Sequence, residues 1–235
     1  MNLREGLQPI TQESTPSLIA AQLRRLIGQG SLAAGAQLVE MDIAGELGVS
    51  RGPVREAIQR LTQEGLLVSV RNRGVFVAEF SEADIRDIYE ARTAVEKAAA
   101  GILVIGEHER AGRELTQRVD AMEEARKAND SEAMTEADIA FHECLVAFAS
   151  SPRLARMHAT LLTETRMCLN RLEGRYADES VRVAEHQAIA EAIRDGSSEL
   201  VTKLLDSHKD DALARLLPQG QHSTTSQRSD LGQSA

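Results

Sequence analysis

Four side chains with metal-ligand chemistry fall at spacings that a helical fold would bring together. Asp138 and His142 are four residues apart in ADIAFHECL, so on a helix they stand about 40° apart on one face. His186 and His208 lie in AEHQAIAEAI and LLDSHKDDAL, on either side of the turn signal Gly196-Ser197. At roughly 1.5 Å per residue, His186 stands about 15 Å from that turn and His208 about 18 Å, so an antiparallel helix pair puts them at nearly one height. His142 stands about 13 Å from its own turn near Ser151. Three imidazoles and a carboxylate meeting at mid-depth suit a divalent ion, zinc first and nickel or manganese as alternatives, with positions left for water or a ligand oxygen. Against this stands the reading of each histidine as a hydrogen-bonded core or surface residue. His108, His158 and His222 lie outside the pattern.

A second group is basic. Arg51 and Arg55 are four apart, and with Arg60, Arg71 and Arg73 they fall within 23 residues. Arginine forks onto a guanine edge or clamps a phosphate. Ser50 precedes the pair as a helix N-cap whose hydroxyl can also donate to a phosphate. Arg71-Asn72-Arg73-Gly74 has the composition of a hairpin tip. The competing reading makes these arginines a solvated face of a small helical subdomain.

The elements that must hold these groups are legible in outline. Leu18, Leu23, Leu26 and Ile27 have helical spacing and stop at Gly28 and Gly30. Asp42–Leu47 makes a short helix ended by Gly48, with Val49 in the crossing. A third helix starts after Ser50, with Pro53 in its first turn and Val54, Ile58 and Leu61 inward. Leu66–Val70 and Val75–Phe80 flank the arginine-tipped turn as a hairpin. Helix, Gly turn, Arg-bearing helix and hairpin in that order make a winged helix-turn-helix, which docks its second helix in the major groove. A capping box at Ser81–Asp84 opens the second half. Helices then fit as far as Gly106 and over 107–128, 131–149, 153–175, 179–195 and 198–217, an antiparallel bundle of about six. The fold class is mainly α: a DNA-binding domain over 1–80, an all-helical domain over 81–218, and a disordered tail over 219–235.

Composition narrows the function classes. The chain has 235 residues, 42% hydrophobic and 27% charged, with 3% aromatic residues. The longest apolar run, Ala98–Gly106, is about half of what a bilayer crossing needs, and the first ten residues lack a signal-peptide core. With two cysteines, Cys144 and Cys168, there is no disulfide framework, and both fit as small hydrophobes in the bundle. A reducing cytoplasm is the expected compartment. The net charge of −9 is unevenly spread: residues 1–80 hold eight Arg against eight acidic residues, so the whole acidic excess belongs to the second half. A neutral domain with a basic cluster still binds phosphate backbone.

The stretch LAAGAQLVEMDIAGELGVSRGPVREAIQRLTQEGLLVSVRNRGVFV resembles the winged helix-turn-helix of GntR-family transcriptional regulators, and with the helical second half the chain resembles the FadR subfamily and its FCD ligand domain. The likeness spans about residues 12–217. It implies a dimeric regulator, a repressor or an activator, whose operator affinity responds to a small, often carboxylate, effector. It also implies DNA contacts from Ser50, Arg51 and Arg55 and a minor-groove role for the tip Arg71, Asn72, Arg73 and Gly74. Met41 stands where some members carry a basic DNA-contacting residue. The family's metal pattern, Asp-x-x-x-His followed by a histidine on each of the last two helices, matches Asp138, His142, His186 and His208. By the same resemblance Arg92 pairs with the effector carboxylate, with Arg166 a second candidate; a salt bridge from Arg92 to Glu96 is the plainer role. Two-fold protein symmetry implies a homodimer on an inverted repeat of double-stranded DNA. The runner-up class is a metal-dependent hydrolase or lyase using the same Asp/His set. It leaves the DNA motif without a purpose.

Overall fold

The first helix of the computed structural model, which describes residues 14–170 and 179–217, begins where its sequence supplies a cap. Ser14 accepts from the Ser17 amide and a proline sits in the first turn of α1 (Thr15–Gly28), where a missing N–H costs nothing. α2 (Glu40–Leu47) ends at Gly48, whose φ of 62° is left-handed. α3 (Arg51–Gln63) follows with Ser50 at its N-cap. Its buried stripe, Val54, Ala57, Ile58 and Leu61, recurs at helical spacing and seats it on α1. Each fully buried Val, Ile or Leu contributes about 1.5–3 kcal/mol.

The hairpin forms as expected, with β2 (Leu67–Val70) antiparallel to β3 (Gly74–Val77) and Leu67 opposite Val77. A two-residue strand, β1 (Gln37–Leu38), joins the other edge of β3 and makes the sheet order β1-β3-β2. That strand was not expected, because two residues carry no periodicity; its pairing comes from β3.

The second half is a helical bundle: α4 (Glu82–Leu103), α5 (His108–Ala128), α6 (Ser131–Phe148), α7 (Pro152–Asn170), α8 (Glu179–Arg194) and α9 (Ser198–Leu216). The capping box forms, with Ser81 accepting from the Asp84 amide and the Asp84 carboxylate from the Ser81 amide. The α5–α6 turn uses Asn129 at φ 53°, then Asp130 as N-cap. α5 approaches α8 so closely that a Cβ at Gly112 would lie 2.4 Å from that of Arg194. α4 packs against α6, α7 and α9. The expected turn after Gly174 and the expected tail lie outside the described residues.

Among the described residues, the winged part and the bundle have separate apolar cores, with two bridges. Met167 of α7 is buried in the core of the winged part, and Phe80 packs against both.

Candidate functional site

Two surfaces gather the residues singled out in the sequence. On the winged part, Arg51 and Arg55 lie on the outward face of α3, with side chains 60% and 62% exposed. The wing tip is exposed from Arg71 to Gly74, Asn72 taking a φ of 63°. The Gln37 side chain props the tip by donating to the Arg73 carbonyl at 2.8 Å. The Arg73 guanidinium lies 5.6 Å over the Phe76 ring. Gln37, Leu38, Val39, Glu40, Met41, Arg51, Arg55, Gly74 and Val75 line one concave surface between wing and helices. Ser50 sits at the N-cap position, but its hydroxyl makes no capping bond, so only its place in the helix start is as expected. Glu40 went unnoticed in the sequence: its carboxylate accepts from both Arg51 and Arg55. The Arg55 bonds chiefly hold that carboxyl below its usual range.

In the bundle, Asp138 and His142 of α6, His186 of α8 and His208 of α9 are all buried, and one donor atom from each lies within 4.8 Å of all the others. Two of the three imidazoles have their outward nitrogen engaged. His186 Nδ1 donates to the Arg182 carbonyl at 2.8 Å, which fixes its tautomer. His208 Nδ1 donates to Glu185 at 2.8 Å. His142 Nδ1 lies 3.0 Å from Glu96 but out of hydrogen-bond alignment. Nε2 of His186 is therefore bare, yet it stands 3.1 Å from Asp138 Oδ1 and 3.2 Å from His142 Nε2. A proton on His142 Nε2 can be donated to His186, but the bare His186 Nε2 still faces the Asp138 carboxylate, lone pair against lone pair. A cation among them, or a second proton on an imidazole, removes the conflict. Histidines anchored through Nδ1 with Nε2 turned inward are what a divalent ion uses, and the anchors set ligand orientation.

Electrostatics agree with that donor set. Burial, then His186, pushes His208 down to about 3. Burial also lowers His142, against the pull of Glu96. Both imidazoles are thus neutral near pH 7, the form that ligates. Burial alone would lift Asp138 and Glu96. Arg182 chiefly holds Asp138 well below the carboxylate range, and in acid, where His142 carries a proton, His142 and Arg92 do so for Glu96.

Arg92 is 2% exposed, stacks on Tyr89 at 4.7 Å and lies 3.2 Å from Glu96, so the intrahelical pair exists. It also lines a small cleft with Tyr89, Asp138, Arg182, His208 and Arg215. The cleft measures about 10 Å³, room for about one water. Arg166 is elsewhere. It pairs with Glu136, and its Cδ would lie 2.8 Å from a Cβ at Gly28, so the structure does not bring it together with Arg92 at the cleft. The sequence reading named Glu96 only as a partner for Arg92, not for His142, and missed Arg182, Glu185 and Arg215. His158, set outside the metal pattern, lies 3.1 Å from Glu96 and is buried with it. Arg182 alone carried a local signal, four residues before His186. His108 sits apart, with Nδ1 2.8 Å from the Arg194 carbonyl.

Comparison with known proteins assigns a family to each half of the chain. Residues 16–77 match the family described as bacterial regulatory proteins, gntR family, and residues 87–211 match the FCD domain. The "Probable D-xylose utilization operon transcriptional repressor" of Paenarthrobacter nicotinovorans is 30% identical over 213 residues, covering 89% of this chain and 92% of the relative. The gluconate operon transcriptional repressor of Bacillus subtilis is 27% identical, covering 86% and 85%. A GntR-type crystal structure from Rhodococcus sp. RHA1 superposes with a TM-score of 0.74 at 29% identity, covering 87% of this chain and 98% of that one. E. coli McbR/YncC shares the fold, with a TM-score of 0.77 at 21% identity over 87% and 98%. Among the described residues no helix is long and apolar enough to cross a membrane.

Proposed function

The chain belongs to the GntR family of bacterial regulators and carries an FCD domain, and from that premise we propose how its two surfaces work. It is a DNA-binding transcriptional regulator and not an enzyme, as its family and relatives are, so the hydrolase reading falls. In our reading Phe80/Ser81 divides a reading head, residues 1–80, from a sensor, residues 81–218. The head grips operator DNA through Ser50, Arg51 and Arg55 in the major groove and Arg71–Gly74 in the minor groove, and the chain acts as a cytoplasmic repressor. Two copies bind an inverted repeat as a homodimer, since one winged domain offers few contacts.

The sensor binds a divalent ion through Asp138, His142, His186 and His208. The observation that carries this is the convergence of four buried donors whose outer nitrogens already have partners or a facing carboxylate. Imidazole with carboxylate fits zinc first, and nickel or manganese as well. When bound, such an ion supplies a Lewis-acid position for a ligand oxygen. Arg92 offers the opposing fork to a small carboxylate effector. The cleft is too small for such an acid as it stands, so effector binding selects a wider arrangement of α4, α8 and α9, and this biases the reading heads.

The test uses purified protein and a duplex it has selected from a randomised library. Zinc should bind at one ion per chain, and a panel of small mono-, di- and hydroxycarboxylates should contain one that shifts duplex affinity only in the zinc-loaded protein. A chain that binds no divalent ion refutes the metal reading. An equal response with zinc removed leaves the ion structural and moves the sensing site elsewhere. A monomer at micromolar concentration on DNA defeats the inverted-repeat dimer.

A further inference from the structure

Glu40 opens α2 on the same concave surface as the two reading arginines, with 25% of its side chain exposed. It accepts from Arg51 Nη2 at 3.2 Å, and from Arg55 Nε at 3.1 Å and Nη2 at 2.9 Å. The contact with Arg55 occupies the Nε–Nη2 edge of the guanidinium. The five N–H groups form a rigid planar fork, so holding that edge fixes the plane of the whole group. The terminal edge, Nη1 with Nη2, is the one that meets guanine O6 and N7 together.

A carboxylate on a DNA-facing surface works against affinity, because every phosphate nearby repels it. Raw grip alone would favour a neutral residue there. The same charge favours selectivity. An untethered arginine sweeps many phosphate oxygens, whereas a tethered one pairs only where a base edge meets its plane. Met41, the next residue, is 65% exposed and uncharged, so the α2 start offers no cation of its own beside Glu40.

We propose that Glu40 is a positioning residue for sequence readout, setting the guanidinium plane of Arg55 and restraining Arg51 through a single Nη2 bond so that they read base edges. This rests on the assignment of those two arginines to the DNA surface. The plainer role for Glu40 is an acid in the first turn of α2, favoured by the helix dipole.

Wild-type protein selects a duplex from a randomised library. Affinities of wild type, Glu40→Gln and Glu40→Ala are then measured on that duplex and on a scrambled one of equal length, across a salt series. Both variants should lower the selected-to-scrambled ratio by about tenfold or more. Scrambled binding should stay level or tighten a few-fold, with an unchanged salt slope because the phosphate contacts remain. A ratio within twofold of wild type overturns the proposal. So does equal tightening on both duplexes, which makes Glu40 a restraint on the arginines. Variants unfolded at assay temperature overturn it too, leaving Glu40 as a helix-start residue. Arg51→Ala and Arg55→Ala in the same assay test the underlying assignment: if they keep the wild-type ratio, that assignment fails whatever Glu40 does.

Discussion

Replacing Glu96 by glutamine probes the proposed sensor through a residue that is not among the four proposed metal donors. Glu96 is 1% exposed. Arg92 Nε, His142 Nδ1 and His158 Nε2 all stand 3.0–3.2 Å from its Oε1. Glutamine keeps the shape and one acceptor oxygen but removes the charge. Arg92, 2% exposed, then has lost its nearest counter-ion. Breaking a buried pair from one side costs about 3–5 kcal/mol, a large share of the roughly 5–15 kcal/mol that holds a domain together. A separate loss falls on the metal. Weakening the partner behind a histidine ligand costs about 10–100-fold in affinity, or about 1.4–2.8 kcal/mol. Urea melts of the metal-free protein read the first loss, and zinc competition against a chelating dye reads the second. The variant should therefore be destabilised without metal and further behind wild type with it. Metal-free stability within about 1 kcal/mol of wild type, together with unchanged zinc affinity, would refute the view of Glu96 as counter-ion and histidine anchor.

Arg51→Ala and Arg55→Ala should each weaken the selected duplex by about 1–3 kcal/mol, with melting temperatures near wild type because both side chains are exposed; titration and thermal melts check this. His142→Ala should lose the ion, melt lower, stop responding to effector and still bind DNA, as elemental analysis and duplex titrations will report. Glu164, raised to about 7 by burial and then by Asp87, should make wild type less stable as pH climbs. Its folded state keeps the proton that the unfolded chain releases near the usual carboxylate value, so the contribution is complete below about 4.5 and gone above about 7. Glu164→Gln should flatten that part of the profile, and melts at pH 5 and pH 8 would show no such difference if the carboxyl titrates normally.

The four donors were legible because their spacing is local: one i, i+4 pair, and two histidines at matched distances from a shared turn. Their supports were not. Glu96 reaches His142 across 46 positions of sequence, and Glu185 reaches His208 across the α8–α9 turn; such partners depend on how the bundle closes. Arg166 stands one step around α7 from the face that meets α4 and α9. Leu162, Thr165 and Leu169 are buried, and Leu162 and Leu169 share a core with residues of α4 and α9, while the next position after Thr165 turns about 100° away toward α1 and Glu136. Glu40 reads locally as an ordinary first-turn acid, and only the crossing of α2 with α3 brings it to the arginines.

Met167 fills the core of the winged part from a helix more than 80 positions further along the chain. A fragment ending after the wing would therefore expose the apolar face that Met167 covers. Losing a buried methionine side chain typically costs about 2–5 kcal/mol, enough to leave so small a unit marginal. The reading head is in this sense not cleanly detachable: part of its apolar core is lent by α7. A fusion that grafts it onto another sensor leaves that face uncovered unless it supplies an apolar side chain at the same place.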